Sequence, residues 1–347
     1  MSINSKLELI KIILEMIRAP SYYLDEVRRF IYQKGVLDFG KMTSLPKSVR
    51  QTLKTRAGPV LSLTKIGETK SDQAQKILFV TRDGQRLETV RMLFKSKSGD
   101  HESLCISSQS GCALGCKFCA TGAIGFKKNL TSEEISDQVL YFKAKNLPVK
   151  SIAFMGMGEP LANEDNVFAA LKIITDPDYL GFSSRRISLS TVGIIPGIRR
   201  LMRAFPQVNL AFSLHSPFPK QRLELMPITK VYPIDQVMQT LDEHIRLTNK
   251  RMFLAYVLLA GVNDSASHAQ ELVKLIKSRG KYAYLYHVNL IRFNPGSTVI
   301  KFAKPTRDKI DAFRQILRRN DISHTLRQSF GIKIAAACGQ LAGEQPK

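Results

Sequence analysis

The sequence predicts an α/β fold: a partial (β/α)6 barrel, with a small helical domain before it and a short tail after it. Three observations lead there. Six apolar, β-rich runs alternate with helical stretches from about residue 104 to residue 319. The runs are apolar from end to end, as strands buried on both faces of a parallel sheet must be. Polar residues gather just after the runs, on the side where barrel enzymes carry their chemistry. An open doubly wound sheet is the alternative that the same alternation allows.

Residues 1–75 read as a helical accessory domain for binding RNA. Leu9, Ile12, Ile13 and Met16, then Val27, Phe30 and Ile31, recur at helical spacing, with turns at Pro20 and Pro46. "ILFVTRDGQRLETVRMLF" (77–94) holds two β-rich runs around Asp83-Gly84, a hairpin signal, and residues 76–97 are assigned as a connector. The core is placed at 98–333. Its strands are expected at 104–108, 151–157, 186–191, 208–215, 253–259 and 287–293. Helices are expected at 132–146, opened by a Thr131/Glu134 capping box, and at 164–175, 196–204, 234–247, 265–279 and 305–319. A tail, 334–347, closes the chain.

Charge narrows the function. Across 347 residues, 52 Lys and Arg face 29 Asp and Glu, a net charge of +23 that favours a polyanionic partner. Basic clusters at Lys127-Lys128, Arg185-Arg186, Arg199-Arg200, Arg318-Arg319 and Lys277/Arg279/Lys281 fit RNA phosphates, which supply affinity rather than sequence choice. The first apolar run is broken by Lys11, Glu15 and Arg18, so it reads as an amphipathic helix and not a signal or a membrane span. A cytoplasmic protein with no membrane partner is expected. Five cysteines, an odd and sparse set, argue for ligands or reactive thiols over a disulfide framework.

Three of the five stand in "GCALGCKFCATG" (111–122), as Cys112, Cys116 and Cys119. Thiolates select zinc, copper(I) or iron–sulfur clusters, and structural zinc takes four protein ligands. Three thiolates on a cubane leave one iron open, a place for chemistry. Gly111 and Gly115 let the backbone wrap closely around such a group.

This loop, with Phe118 before its last cysteine, resembles that of the radical S-adenosylmethionine (SAM) enzymes. The likeness extends through "ETV" (88–90), "CISSQ" (105–109), "FMGMGEPLAN" (154–163), "LSTVGIIP" (189–196), "FSLHSP" (212–217), "MPI" (226–228), "GVND" (261–264) and "AACGQLAG" (336–343). Together these resemble the RlmN/Cfr family of radical SAM 23S rRNA adenine methyltransferases. "YHVNLIRFNP" and "RQSFGIKIAAACGQL", with Phe330 before the glycine, lean towards the Cfr branch.

The resemblance implies a role for every cysteine. Cys112, Cys116 and Cys119 hold a [4Fe–4S] cluster, one per chain, whose open iron takes SAM. Cys338 receives a methyl group from one SAM and carries it as S-methylcysteine; a radical made from a second SAM activates that methyl for addition to adenine. Cys105 then attacks the sulfur of Cys338, freeing the RNA and leaving a disulfide to be reduced. That exchange requires the tail to fold over the barrel mouth. Gly158 and Glu159 match the segment that binds the SAM amino group; Ser190, Ser213, Leu214, His215 and Asn294 match further SAM contacts; and Glu88 matches a proton acceptor. The implied product is C8-methyladenine in the peptidyl-transferase region of 23S rRNA, with resistance to antibiotics that act there. C2 methylation of the same adenine, with tRNA as a possible further substrate, is the alternative. Implied partners are 23S rRNA before full ribosome assembly and an electron donor such as flavodoxin or ferredoxin, with the chain acting as a monomer. A reading of another class is a non-enzymatic RNA-binding protein with a structural metal site.

Overall fold

In the computed structural model, which describes residues 5–94, 99, 101–296 and 301–343, three helices come first. Helix α1 (Lys6–Met16) starts at Ser5, whose hydroxyl accepts the Glu8 N–H. Helix α2 (Tyr22–Arg28) runs on into a wider π-turn, Arg29–Gln33, and α3 (Lys47–Arg56) follows Pro46. Ile10, Ile13, Val27, Ile31, Met42 and Leu53 from this region are shut off from solvent in one apolar cluster.

The helical character expected as far as residue 75 ends at Arg56. Strand β1 (Leu63–Ser71) follows, pairing antiparallel with β2 (Ala74–Thr81), which pairs with β3 (Arg86–Phe94) around the expected Asp83-Gly84 turn. Only Leu63 of β1 is buried, while Lys65 and Lys70 keep this edge strand charged, so no apolar alternation marks it. Of the expected connector, residues 95–97 lie outside the described residues, as do 344–347 of the expected tail.

Strand β4 (His101–Ile106) pairs antiparallel with β3 and begins the parallel part of the sheet. A small ribbon, β5 (Gln109–Gly111) and β6 (Phe126–Asn129), brackets the short helix α4 (Ala120–Ala123). The units then repeat: α5 (Ser132–Lys143), β7 (Val149–Phe154), α6 (Glu164–Thr175), β8 (Ile187–Thr191), α7 (Ile195–Ala204) and β9 (Asn209–Ser213). After α8 (Pro219–Leu225) come α9 (Ile234–Thr248), β10 (Met252–Leu258), α10 (Ala266–Lys277), β11 (Tyr286–Arg292), α11 (Arg307–Arg319) and β12 (His324–Arg327). The sheet order is β1-β2-β3-β4-β7-β8-β9-β10-β11-β12, parallel from β4 onward. Six strand–helix units and one closing strand thus form an open barrel wall, which is the expected architecture. No helix among the described residues is long and apolar enough to cross a membrane.

The continuous apolar runs conceal an alternation. Leu189, Leu210, Phe212, Leu254, Tyr256, Leu258, Val288 and Leu290 are fully buried. Their neighbours Ser190, Ala211, Ser213, Ala255, Val257, Asn289 and Ile291 line a cavity inside the barrel. Side chains on a strand alternate faces, so large residues face the helices and mostly small ones leave room within. The capping box is present: Thr131 Oγ1 accepts the Glu134 N–H, and Glu134 accepts the Thr131 N–H.

The helical domain is joined to the barrel by one buried charge pair. Asp137 of α5 accepts from Lys6 Nζ at 2.6 Å and from both the N–H (2.7 Å) and hydroxyl (2.8 Å) of Ser62. Asp137→Ala would leave a buried ammonium uncompensated, a loss of about 3–5 kcal/mol. A lowered urea midpoint at unchanged slope is the expected result; a change below about 1 kcal/mol would assign this seam to apolar packing.

Candidate active site

The cysteine loop is closed by a backbone contact that only glycine permits. Gly111 sits at φ +72°, and a Cβ there would lie 1.9 Å from the Gly125 carbonyl oxygen, which also accepts the Cys112 N–H at 3.1 Å. Gly115 turns the loop at φ +62°. Cys112, Cys116 and Cys119 then face one cavity of about 180 Å³ at the C-terminal ends of the strands. Burial pushes the Cys112 thiol up to about 12 and the Cys116 thiol higher still, each neighbouring thiolate adding to the effect. Such thiols ionise only when a cation compensates them, as metal ligation does.

Among the described residues, no three His, Cys, Asp or Glu side chains converge tightly enough for a single metal ion. A cubane cluster spreads its ligands over separate corners, so the three loop cysteines facing one cavity suit such a group.

The residues expected around SAM are gathered by the adjacent strand ends. Gly158, at φ +93°, lies against Gln109, where a Cβ would approach within 2.4 Å. Gln109 Oε1 accepts the Glu159 N–H at 2.9 Å. The Glu159 carboxylate accepts from Leu161 N (3.1 Å) and Val192 N (3.0 Å), and burial pushes it up to about 7. Ser190 and Ser213 line the same cavity with their hydroxyl oxygens 3.2 Å apart. His215 lines it too, in the left-handed region at φ +55°. Its Nδ1 accepts the Val257 N–H at 3.0 Å, and burial lowers it to about 3, so the ring is neutral and its Nε2 carries the proton.

Two expected contacts fall elsewhere. Leu214 is wholly buried: its N–H donates to Ala255 O, its carbonyl accepts from Arg222, and it lines neither cavity described here. Asn294 faces an adjoining cavity and donates to Cys338 O at 3.4 Å. Its Oδ1 is buried with no hydrogen-bond partner among the described residues.

That second cavity holds Cys105, and Cys338 stands where the two cavities meet. All five cysteines are free thiols, so the disulfide expected at one stage of a cycle is not formed here. Burial, with Cys338 adding, pushes the Cys105 thiol up to about 12, while the Arg327 cation opposes the shift. The tail carrying Cys338 is pinned beside the cysteine loop: Thr121 Oγ1 donates to Leu341 O at 2.6 Å and Ala120 N to Gly339 O at 2.8 Å. Glu88 is absent from the lining of both cavities; it is completely buried beneath the tail.

Sequence reasoning missed two cations here. Arg327 ends β12, a strand of only four residues, and lines both cavities. Arg222 on α8 is fully buried: Nε donates to Leu214 O (3.1 Å), Nη1 to Thr229 Oγ1 (2.7 Å), and Nη2 to Val192 O (2.7 Å) and Ser213 O (3.1 Å). The "FSLHSP" and "MPI" segments on either side of it were the available signal. Of the basic clusters, Lys128, Arg199, Arg200 and Arg279 are held in ion pairs, whereas Lys127, Arg318 and Arg319 are exposed.

Residues 106–276 match the model of the radical SAM superfamily. A ribosomal RNA large subunit methyltransferase Cfr of Lachnoclostridium phytofermentans is 48% identical over 343 residues, covering 98% of each chain. The protein of that name from Staphylococcus aureus is 49% identical over 93% of this chain and 92% of its own. Among solved structures, a radical SAM methyltransferase from Sphaerobacter thermophilus superposes with a TM-score of 0.89 at 38% identity, covering 99% of both chains.

Arg222→Met would take this donor from the buried Val192 and Ser213 carbonyls, each worth about 1–3 kcal/mol, whereas Leu214 O keeps the Ser216 N–H. We expect a stability loss of at least about 2 kcal/mol in urea titration. Arg222→Lys should restore little of it, because an ammonium lacks the planar fork that spans Leu214, Val192 and Thr229. Full rescue by lysine would leave only the charge as the requirement.

Proposed function

The chain belongs to the radical SAM large-subunit ribosomal RNA methyltransferases, and we propose that it methylates C8 of one adenine in 23S rRNA through a methyl group carried on Cys338. One observation carries the reading: Cys338 stands at the junction of a cavity ringed by Cys112, Cys116 and Cys119 and a second cavity that holds Cys105.

In this reading Cys112, Cys116 and Cys119 would hold a [4Fe–4S] cluster. Gly158, Glu159, Ser190, Ser213 and His215 would hold SAM, with Asn294 contributing from the adjoining cavity and Leu214, whose N–H and carbonyl are taken by Ala255 and Arg222, holding the strand end in place. Bound together and reduced by a flavodoxin- or ferredoxin-like donor, cluster and SAM would supply a 5′-deoxyadenosyl radical. Glu159 offers an anion for the SAM ammonium, and the neutral His215 ring offers one N–H donor. The apolar wall, Phe118, Val192, Met226, Val257 and Phe293, keeps water from a reactive site.

Cys338 carries the methyl carbon to the base. Once the base is joined to that carbon, with C8–H given up as a proton and one electron that the oxidised cluster would accept, the Cys105 thiolate attacks the Cys338 sulfur: an S–S bond forms, the S–C bond breaks, and the released carbon takes up a proton to become the methyl group of the product. A thiol reductant then returns both cysteines to thiols. Exposed cations such as Lys127, Arg318 and Arg319 would meet the RNA backbone.

Nucleosides from a 23S rRNA fragment, treated anaerobically with reconstituted protein, SAM and reductant, should contain 8-methyladenosine by mass spectrometry. 2-Methyladenosine in its place would make C2 the target and remove the resistance expected of C8 methylation. Cys338→Ala should abolish methyl transfer with its iron content retained, whereas Cys105→Ala should trap a covalent protein–RNA adduct. Because the Cys105 thiol lies far above neutrality, adduct breakdown should quicken about tenfold per pH unit between pH 7 and 9.

The Glu159 carboxyl, pushed up to about 7, sets an opposite limit. Below that value the free protein holds it protonated, and a cationic ammonium must displace the proton. Equilibrium dialysis should show SAM binding weakening by up to about tenfold per pH unit below pH 7 and level above it. A flat profile would remove Glu159 from the ammonium site.

A further inference from the structure

We propose that the buried Lys76–Glu88 ion pair is a latch that holds the C-terminal tail across the barrel mouth and thereby sets the position of Cys338. Glu88 is 0% exposed, yet it lies outside both cavities. One carboxylate oxygen, Oε2, accepts the backbone N–H groups of Ala342 (2.9 Å) and Gly343 (3.1 Å). The other, Oε1, faces Lys76 Nζ at 2.7 Å. The same ammonium donates to Ala335 O at 3.2 Å.

The pair therefore grips the tail on both sides of Cys338, three residues before it and four and five after it. Its base is fixed. Lys76 on β2 lies opposite Val90, two residues from Glu88 on β3, so both side chains share one face as diagonal neighbours in a hydrogen-bonded ladder.

The tail has little internal structure with which to hold itself. It bends through left-handed positions at Ala335 (φ +48°), Gly339 (φ +83°) and Gly343 (φ +67°). Its internal bonding near Cys338 is one short turn, Gln340 N to Ala337 O, closed by Gln340 Oε1 on Ala337 N. A charged acceptor holding two N–H groups is stronger than a neutral one. A buried pair of charges is also costly to desolvate and adds little net stability over apolar residues of the same size. What such a pair contributes is placement, and the placed object is the segment bearing Cys338. Glu88 is in this role a positioning residue.

That the placed thiol is the methyl carrier rests on the function proposed above; the latch does not. The test uses the reconstituted holoenzyme without RNA. In Lys76→Met/Glu88→Leu, which replaces both charges by apolar groups and so spares the fold, amide hydrogen exchange of residues 336–343 should quicken at least tenfold. Exchange in β8–β11 should stay unchanged. The glutathione ratio [GSH]²/[GSSG] at which half of the Cys105–Cys338 pair is oxidised should fall at least tenfold, reporting a lower effective concentration of one thiol at the other. Lys76→Arg, which keeps the pair, should behave as the parent. Parent-like exchange at 336–343 together with a parent-like glutathione ratio in the double variant would overturn the latch. Failure of the methyl-carrier reading shows separately, as methyl transfer by Cys338→Ala, and leaves the exchange result standing.

Discussion

The barrel mouth takes its shape from a guanidinium that, among the described residues, has no carboxylate partner. Arg222 ties the chain just after β8, at Val192, to the end of β9, at Ser213 and Leu214, and to Thr229 beyond α8. These segments supply Ser213 and His215 to the cavity, and the Val192 N–H that fixes Glu159. Burial lowers the Arg222 group to about 10, which leaves it charged at neutrality. Its charge is met by carbonyl dipoles, by the Phe212 ring 5.0 Å away and by the pull of Cys116. A carboxylate partner would cancel the charge. Without one, the site keeps a positive field beside thiols that must become anions, and one side chain serves both as scaffold and as counter-charge.

The same economy governs the tail. A peptide segment bent through three left-handed residues has few bonds of its own, and here it is fixed from outside by Thr121, Ala120, Asn294 and the Lys76–Glu88 pair. The anchors sit on three parts of the fold: the cysteine loop's short helix (Ala120 and Thr121), the segment just after β11 (Asn294), and the hairpin in front of the barrel. Placement of Cys338 therefore depends on all three being formed.

What the sequence made legible follows from range. The central strands and the helices between them were read within a few residues because each strand carries large apolar residues on its helix-facing side and mostly small ones on the other. The cysteine loop was legible because its spacing is local. Strand β1 was not, since a charged edge strand has no apolar face to advertise; nor was β12, whose four residues His324–Arg327 are too short for periodicity. Nothing local marked Arg222, because the carbonyls that it serves belong to two other segments, at Val192 and at Ser213-Leu214. Glu88 failed for the same reason. Its ammonium partner is twelve residues away across a hairpin and its N–H donors are more than 250 residues away, so sequence spacing offered only a solvated carboxylate or a catalytic one.

The distribution of thiols has a chemical logic that depends on burial more than on distance. Cys105 and Cys338 border one cavity in the free protein, and two ready thiolates there would oxidise to a disulfide before any methyl group was carried. Burial holds Cys105 protonated, so it is a poor nucleophile until something changes around it. Arg327 is the cation that opposes that shift, and it borders both cavities. In the proposed reading Cys338, exposed at the cavity junction, is the thiol open to a methyl group. In that reading the difference in burial between the two cysteines would order the steps: the open one acting first as carrier, the buried one last as the thiol that breaks the bond.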